Sequence, residues 1–460
     1  MTTKKPTALF ALVGACALAV TGPATLAAPP TPARGAQGAT ASSLPVGDID
    51  TALTSKTGEK LGPDAPQASP EEDPARVVGI IVRLQDGADR AAALASINEA
   101  VAGVFPGASA EVTYEYSNTF SGFALNAPAG ALDAIRAVSG VQGAFLDRET
   151  RVEDADDQVA GEGATNSSRT STQDPASLSA QLMMHADQIT QKGEGKVVAV
   201  IDTGVDMTHP AFAGTLGGTP ALSADKVASL TPQLGDGKTG TYVSDKFPFA
   251  YDYADNDVDA SPTGQAGSHG THVAGITAGN AGEIVGIAPD AQIIVAKVAR
   301  SVEGDITDSA LLAALDDMVV LHPDVVNLSL GQLGGMDNEA DSVYATVFKS
   351  LQDVGVTVNA AAGNHHTAGY GNTSGKNLPF ASDPDSSTQC EPATYSSVVS
   401  VASVDNSLAH SAFTVGDRDI AYQRAGGADG QKMPDLSDLT GGPFEYVDGG
   451  IGSPEDGQAL

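Results

Sequence analysis

The sequence predicts an α/β protein built on a parallel sheet, preceded by a small ferredoxin-like α+β domain. Two observations carry this. From Lys196 onward, short apolar runs alternate with segments of helical spacing. Strands apolar on both faces need helices on both, which is the condition of a parallel sheet. Between Val77 and Phe145 the order is instead strand, helix, strand, strand, helix, strand, the ferredoxin-like pattern.

In the small domain, 77–149, Val77 to Leu84 is a β-branched run suited to a strand, and Ala91 to Val104 has helical apolar spacing. Val112 to Asn126 reads as strand, turn and strand around Ser121-Gly122. Ala131 to Val138 is again helical, and Val141 to Phe145 closes as a strand. The residues on either side differ in texture. Segment 29–76 is rich in Pro, Ala, Gly, Ser and Thr and reads as a flexible spacer, and 150–176 is a polar, exposed linker.

The larger unit, 177–414, has expected strands at Lys196–Asp202, Gln292–Val298, Asp324–Leu330, Val356–Ala362 and Ser397–Asp405. Helices are expected at His269–Ala278, Ile306–Leu321 and Asn338–Asp353. A sheet of this kind binds its ligands at the carboxyl ends of its strands. Beyond it, 415–460 is polar and rich in glycine.

Composition narrows the function classes. The 57 acidic side chains outnumber the 24 basic ones, for a net charge of -33. That field repels phosphate backbones, so nucleic acid is not an expected partner. Residues 1–28 carry Lys4 and Lys5, an apolar run from Ala8 to Val20, and small residues at Ala24-Thr25-Leu26-Ala27-Ala28. This is the layout of a secretory signal peptide. Val13-Gly14-Ala15-Cys16 also reads as a lipoprotein box, although the apolar run continues past it. No later stretch approaches the 18 apolar residues of a membrane helix, so the expected location is secreted, with no transmembrane segment. Removing the signal leaves Cys390 alone and excludes an internal disulfide.

Four motifs stand at expected strand ends or helix starts. Val200-Ile201-Asp202-Thr203-Gly204 places Asp202 at the carboxyl end of the first core strand. Taken alone, such an Asp caps a turn, handles a metal or phosphate, or serves catalysis. Gly267-Ser268-His269-Gly270-Thr271-His272-Val273-Ala274-Gly275 opens a helix with His269. An imidazole with one nitrogen held by a buried carboxylate is a general base. His272 shares a helix face with it, but no zincin-type ligand accompanies the pair, so His272 is expected to be packed and hydrogen-bonded. Asn327-Leu328-Ser329-Leu330-Gly331 offers main-chain groups to an extended peptide. Ala361-Ala362-Gly363-Asn364 ends in an amide able to donate to an oxyanion. Each of the last two is, in isolation, ordinary sheet chemistry.

In this order the four blocks resemble the signatures of the subtilisin-like serine endopeptidases, the subtilase family. The resemblance covers about residues 195–405. It implies Asp202 as the orienting carboxylate, His269 as general base, Asn364 as oxyanion donor, and Ser329, Leu330 and Gly331 as a substrate-binding strand. It implies a subtilisin-like fold, polypeptide substrates and no required cofactor. Residues 77–149, with Asn118-Thr119-Phe120-Ser121-Gly122-Phe123, resemble the inhibitory propeptide of such enzymes, a partner in cis. The tail with Met433-Pro434-Asp435-Leu436 resembles the start of the protease-associated insertion of cell-envelope subtilases, which suggests envelope association. One block departs from the family. The Gly-Thr-Ser-Met-Ala motif of the nucleophile is absent, and Ser407, Ser411, Ser437 and Ser453 stand in the wrong context. The expectation is a catalytic domain that stops inside the insertion, incomplete and inactive alone. The alternative is a non-catalytic peptide-binding or inhibitory relic of the same fold. Asp252, Asp255, Asp257 and Asp259 crowd one loop, and carboxylates at alternate positions suit calcium. With Ala260 in place of a loop glycine and no closing Glu, a solvated acidic turn is the preferred reading.

Overall fold

The computed structural model describes residues 73–151, 176–235, 240–262, 267–282, 284–301, 304–331, 343–363, 370–371, 376–377, 389–403, 411–415 and 418–422. The expected signal peptide, most of the spacer, most of the linker, Asn364 and the end of the tail lie outside them.

The small domain contains β1 (Val77–Leu84), α1 (Arg90–Val104), β2 (Glu111–Tyr116), β3 (Gly122–Pro128), α2 (Leu132–Arg136) and β4 (Val141–Leu146). Its antiparallel sheet runs β2-β3-β1-β4. Asp89 starts α1 by accepting the Ala92 amide at 3.1 Å. Alternation along β1 assigns the two faces. Ile80, Val82 and Leu84 pack with Ile97, Val101 and Ile135 beneath the helices. Ile81 points the other way and joins Tyr114, Tyr116, Phe120 and Ala124 in the core of the larger unit. Each fully buried Ile, Val or Leu among them contributes about 1.5–3 kcal/mol. A short β5 (Glu149–Arg151) follows.

The larger unit begins with α3 (Ala176–Met183), β6 (Val197–Asp202), α4 (Ala224–Leu230) and β7 (Phe249–Asp252). Next come α5 (His269–Ala278), the two-residue strands β8 (Asn280–Ala281) and β9 (Ile284–Val285), β10 (Gln292–Lys297) and β11 (Asp305–Thr307). Then follow α6 (Asp308–Leu321), β12 (Val325–Leu328), α7 (Val343–Asp353) and β13 (Thr357–Ala361). The small strands β14 (Tyr370–Gly371) and β15 (Lys376–Asn377), β16 (Val398–Val401), and a hairpin of β17 (Ser411–Val415) and β18 (Arg418–Tyr422) complete it.

Six strands form one parallel sheet in the order β16-β13-β12-β6-β10-β7. The first strand in sequence, β6, is therefore central, and the chain moves to one side of it and then to the other. Such a reversal opens a crevice at the carboxyl ends, where β6 delivers Asp202.

Three details differ from expectation. β7 has only four residues, all buried, too short a run to announce itself as a strand. The expected helix at 306 begins at Asp308 because Thr307 caps it, its hydroxyl accepting the Ala310 amide at 3.2 Å. Residues 305–307 instead pair antiparallel with β5. The β17–β18 hairpin straddles the boundary expected at 414–415.

The small sheet sits on α6 and α7. The Tyr116 hydroxyl donates to the Ser309 carbonyl at 3.1 Å, and Tyr114 donates to the Tyr253 carbonyl at 2.5 Å. The Ser350 hydroxyl on α7 donates to the Thr119 carbonyl at 3.2 Å. No helix among the described residues is long and apolar enough to cross a membrane.

Candidate active site

Asp202 ends β6 with only 2% of its surface exposed. Its Oδ1 lies 2.7 Å from Nδ1 of His269 and accepts the Thr203 amide, also at 2.7 Å. Its Oδ2 is buried and accepts no hydrogen bond among the described residues. The carboxylate is thus fixed from below and committed to one imidazole nitrogen.

His269 reaches it because α5 starts against the end of β6. The Thr203 hydroxyl accepts the Gly270 amide at 2.9 Å, and the Thr271 hydroxyl accepts the Asp206 amide at 2.8 Å. Gly270 has to be glycine: a Cβ there would lie 2.3 Å from the Gly204 carbonyl oxygen and 3.0 Å from Asp202 Oδ1. Gly204 takes φ +99°, and a Cβ on it would lie 2.7 Å from the Ala260 carbonyl. Two glycines therefore let the turn and the helix close on each other. The His269 ring is about a quarter exposed, so one side is held while another faces solvent. A neutral imidazole in this setting donates from Nδ1 and offers Nε2 as the base.

The expectation that His272 is packed and hydrogen-bonded is overturned. α5 buries Gly270, Ala274 and Ala278, which puts His272 and Ile276 on the outer side, both exposed. His272 lines an apolar cavity of about 610 Å³ with Met184, Ile276 and Val285.

A second charged arrangement stands beside Asp202. Lys297 is its register partner on β10 and is completely buried. Its Nζ lies 2.5 Å from Asp252 Oδ2 and 2.6 Å from the Ser301 hydroxyl. Burial raises the Asp252 carboxyl, and the Lys297 ammonium opposes that shift.

The calcium candidates are used locally. Asp252 is committed to Lys297, and Asp255 accepts the Ser301 amide at 3.0 Å. Asp257 accepts the Asp259 amide at 2.8 Å, and Asp259 accepts from Ser261, whose hydroxyl and amide hold its carboxyl below the ordinary range. Among the described residues no three carboxylates, imidazoles or thiols gather as a metal-binding group. The acidic loop is a series of side chain-to-backbone turns.

Residues 193–442, more than half of the chain, match the sequence model of the Subtilase family. The chain belongs to the subtilase family. It is similar to the PI-type proteinase of Lactococcus lactis subsp. cremoris, 33% identical over 228 residues, 47% of this chain and 12% of that one. It is similar to the minor extracellular protease Vpr of Bacillus subtilis (strain 168), 28% identical over 352 residues, 75% of this chain and 36% of that one. The C5a peptidase of Streptococcus pyogenes serotype M6 is 32% identical over 222 residues, 46% of this chain and 18% of that one. The chain thus spans a minor part of the length of each. Subtilases are serine proteases, and the Asp202–His269 pair stands in this one at the carboxyl edge of the parallel sheet.

Of the remaining subtilase positions, Ser329, Leu330 and Gly331 leave the sheet just beyond β12 and are half-buried. The Asn327 amide donates to the Ser329 hydroxyl at 2.9 Å. Gly331 passes so close to Glu391 that a Cβ would lie 2.7 Å from its carbonyl oxygen. Sequence reasoning missed β11. Its three residues, Asp305-Ile306-Thr307, show apolar alternation too short to stand out, and only pairing with β5 defines the strand.

Proposed function

We propose that this subtilase is a secreted serine endopeptidase precursor, in which Asp202 orients His269 and His269 acts as general base toward a serine. The single observation that supports it is the 2.7 Å contact between Asp202 Oδ1 and His269 Nδ1. A buried carboxylate on Nδ1 fixes the tautomer and stabilises the imidazolium formed when Nε2 takes the hydroxyl proton. Asn364 is assigned the donor role toward the tetrahedral oxyanion, and Ser329–Gly331 the role of a peptide-binding edge. Polypeptides are the substrates.

The domain at 77–149 is assigned the role of an inhibitory propeptide in cis. The pairing of Glu149–Arg151 with Asp305–Thr307 supports this, since an extended segment leaving that domain already adds a strand to the peptidase. β11 is thereby a second peptide-binding edge, and its occupation from within the chain blocks it against other peptides. Export by the N-terminal signal and contact with the cell envelope complete the proposal.

The test is casein hydrolysis and fluorophosphonate labelling by the protein expressed from its own gene, beside residues 29–460 alone, for which no turnover is expected. Turnover that disappears in His269→Ala and falls steeply in Asp202→Asn supports the reading. Turnover that survives both substitutions would overturn it.

A further inference from the structure

We infer that Asp308 and Glu391 form a subsite for an arginine side chain carried by an extended peptide along β11. The inference rests on the peptide-binding reading of that edge. In this chain the occupant is Arg148. Its Nε lies 2.7 Å from Asp308 Oδ2, and its Nη1 and Nη2 lie 3.3 and 3.4 Å from the two oxygens of Glu391. The guanidinium is gripped on two sides, with Glu391 taking it as a fork.

The main chain is seated as well. The Asp308 amide donates to the Arg148 carbonyl at 3.0 Å, and the next three residues are those paired with β11. Arg148 therefore occupies the position that immediately precedes the paired stretch of any peptide bound in this register.

Both carboxylates are held independently of Arg148. The Tyr344 hydroxyl donates to Asp308 Oδ1 at 2.8 Å, and the Tyr395 hydroxyl donates to Glu391 Oε1 at 2.9 Å. Burial, and then the Asp308 charge, push the Tyr344 phenol well above its ordinary value, so it stays a donor at neutral pH. The carboxylate side chains are only 11% and 17% exposed. When residues 77–151 depart, two anions that share one cation lose it and repel each other. A planar guanidinium restores the two-sided fit, a point-like ammonium restores it in part, and an apolar or acidic side chain not at all. The substrate class is then peptides with arginine directly before the three residues that pair with β11.

The test empties the subsite while leaving β5 in place. Full chains carrying Arg148→Ala or Arg148→Gln are titrated with ethylguanidinium or ethylammonium chloride at equal ionic strength, and amide hydrogen exchange is followed in 304–310. Both variants should exchange faster there than the parent chain. Ethylguanidinium should restore protection saturably, at concentrations at least tenfold below those of ethylammonium. Adding Asp308→Asn or Glu391→Gln should weaken the response at least tenfold. No saturable response, equal response to the two cations, or a response indifferent to Asp308→Asn would overturn the subsite. If one variant fails to fold, the other carries the titration, and Arg148→Lys, which keeps a cation in place, should exchange at an intermediate rate. Catalysis does not enter this assay, so its failure leaves the peptidase reading to the casein experiment.

Discussion

Thr119 gives both its main-chain amide and its hydroxyl to one oxygen of Asp316, each at 2.6 Å. The Ser117 and Asn118 amides and the Asn118 side chain bond the same carboxylate at 3.0–3.2 Å. A single buried acid on α6 thus organises the whole turn between β2 and β3, from nearly two hundred positions away in the chain.

Asp316→Ala should therefore loosen the small domain more than an ordinary surface change. Removing the acceptor leaves several partly buried donors without it, at a cost of about 1–3 kcal/mol for each that water cannot reach. Hydrogen exchange in 112–126 should accelerate while that of β6 and β10 is unchanged. Uniform acceleration across both sheets would contradict the assignment of Asp316 to this interface.

Lys297→Met should destabilise the larger unit by about 3–5 kcal/mol, because Asp252 then stays buried without its cation. Lys297→Met with Asp252→Asn should recover a substantial part of that loss, since the carboxylate left beside the site, Asp255, is partly exposed to water. Urea denaturation of the four proteins of the cycle measures the coupling directly.

Gly270→Ala tests the close approach that the site depends on. The added methyl meets the Gly204 carbonyl and Asp202 Oδ1, and overpacking of this sort costs about 1–3 kcal/mol. Movement of α5 away from β6 should lengthen the His269–Asp202 contact. Nitrogen NMR of the His269 ring should then show a changed Nδ1 proton shift, whereas Gly103→Ala, on a glycine with open space around it, should leave that shift alone.

Asp147 supplies a pH dependence. Burial lifts its carboxyl to about 6, against the hydrogen bonds from Ser309 that lower it. A carboxyl that titrates higher when folded than when unfolded favours the folded state in its protonated form. Its contribution is complete below about pH 4 and is lost as pH rises through about 6, a change of up to about 3 kcal/mol. Asp147→Asn should flatten stability against pH between 4 and 7 relative to the parent. An unchanged slope would show that Asp147 is not the group responsible.

Much of this was legible in the sequence, and the reasons are local. β6 and β10 are continuous apolar runs, and the position of Asp202 at the end of the first of them follows from that run stopping. His269 could be placed because its motif opens a helix and stands in order with the other subtilase blocks. β7 escaped notice because four residues carry too little pattern, and β11 because its partner is supplied by another domain. The exposure of His272 was misjudged since its neighbour His269 drew it toward the site, while the turn angle of the helix carries it outward. Arg148 gave no hint of its role, because nothing near it in sequence names Asp308 or Glu391.

The order of the large sheet has a consequence for how the chain reaches it. Val197 pairs with Gln292, and Val198 with Val325, so the central strand is made first and flanked last. Until roughly a hundred further residues exist, β6 has neither neighbour, and contacts so distant in sequence assemble slowly. The small domain is complete earlier, since all of its strands lie within Val77–Leu146 and it precedes β6 during synthesis. Its finished sheet, with Tyr114, Tyr116 and Thr119 outward, is available before α6 is made and offers that helix a surface on which to dock.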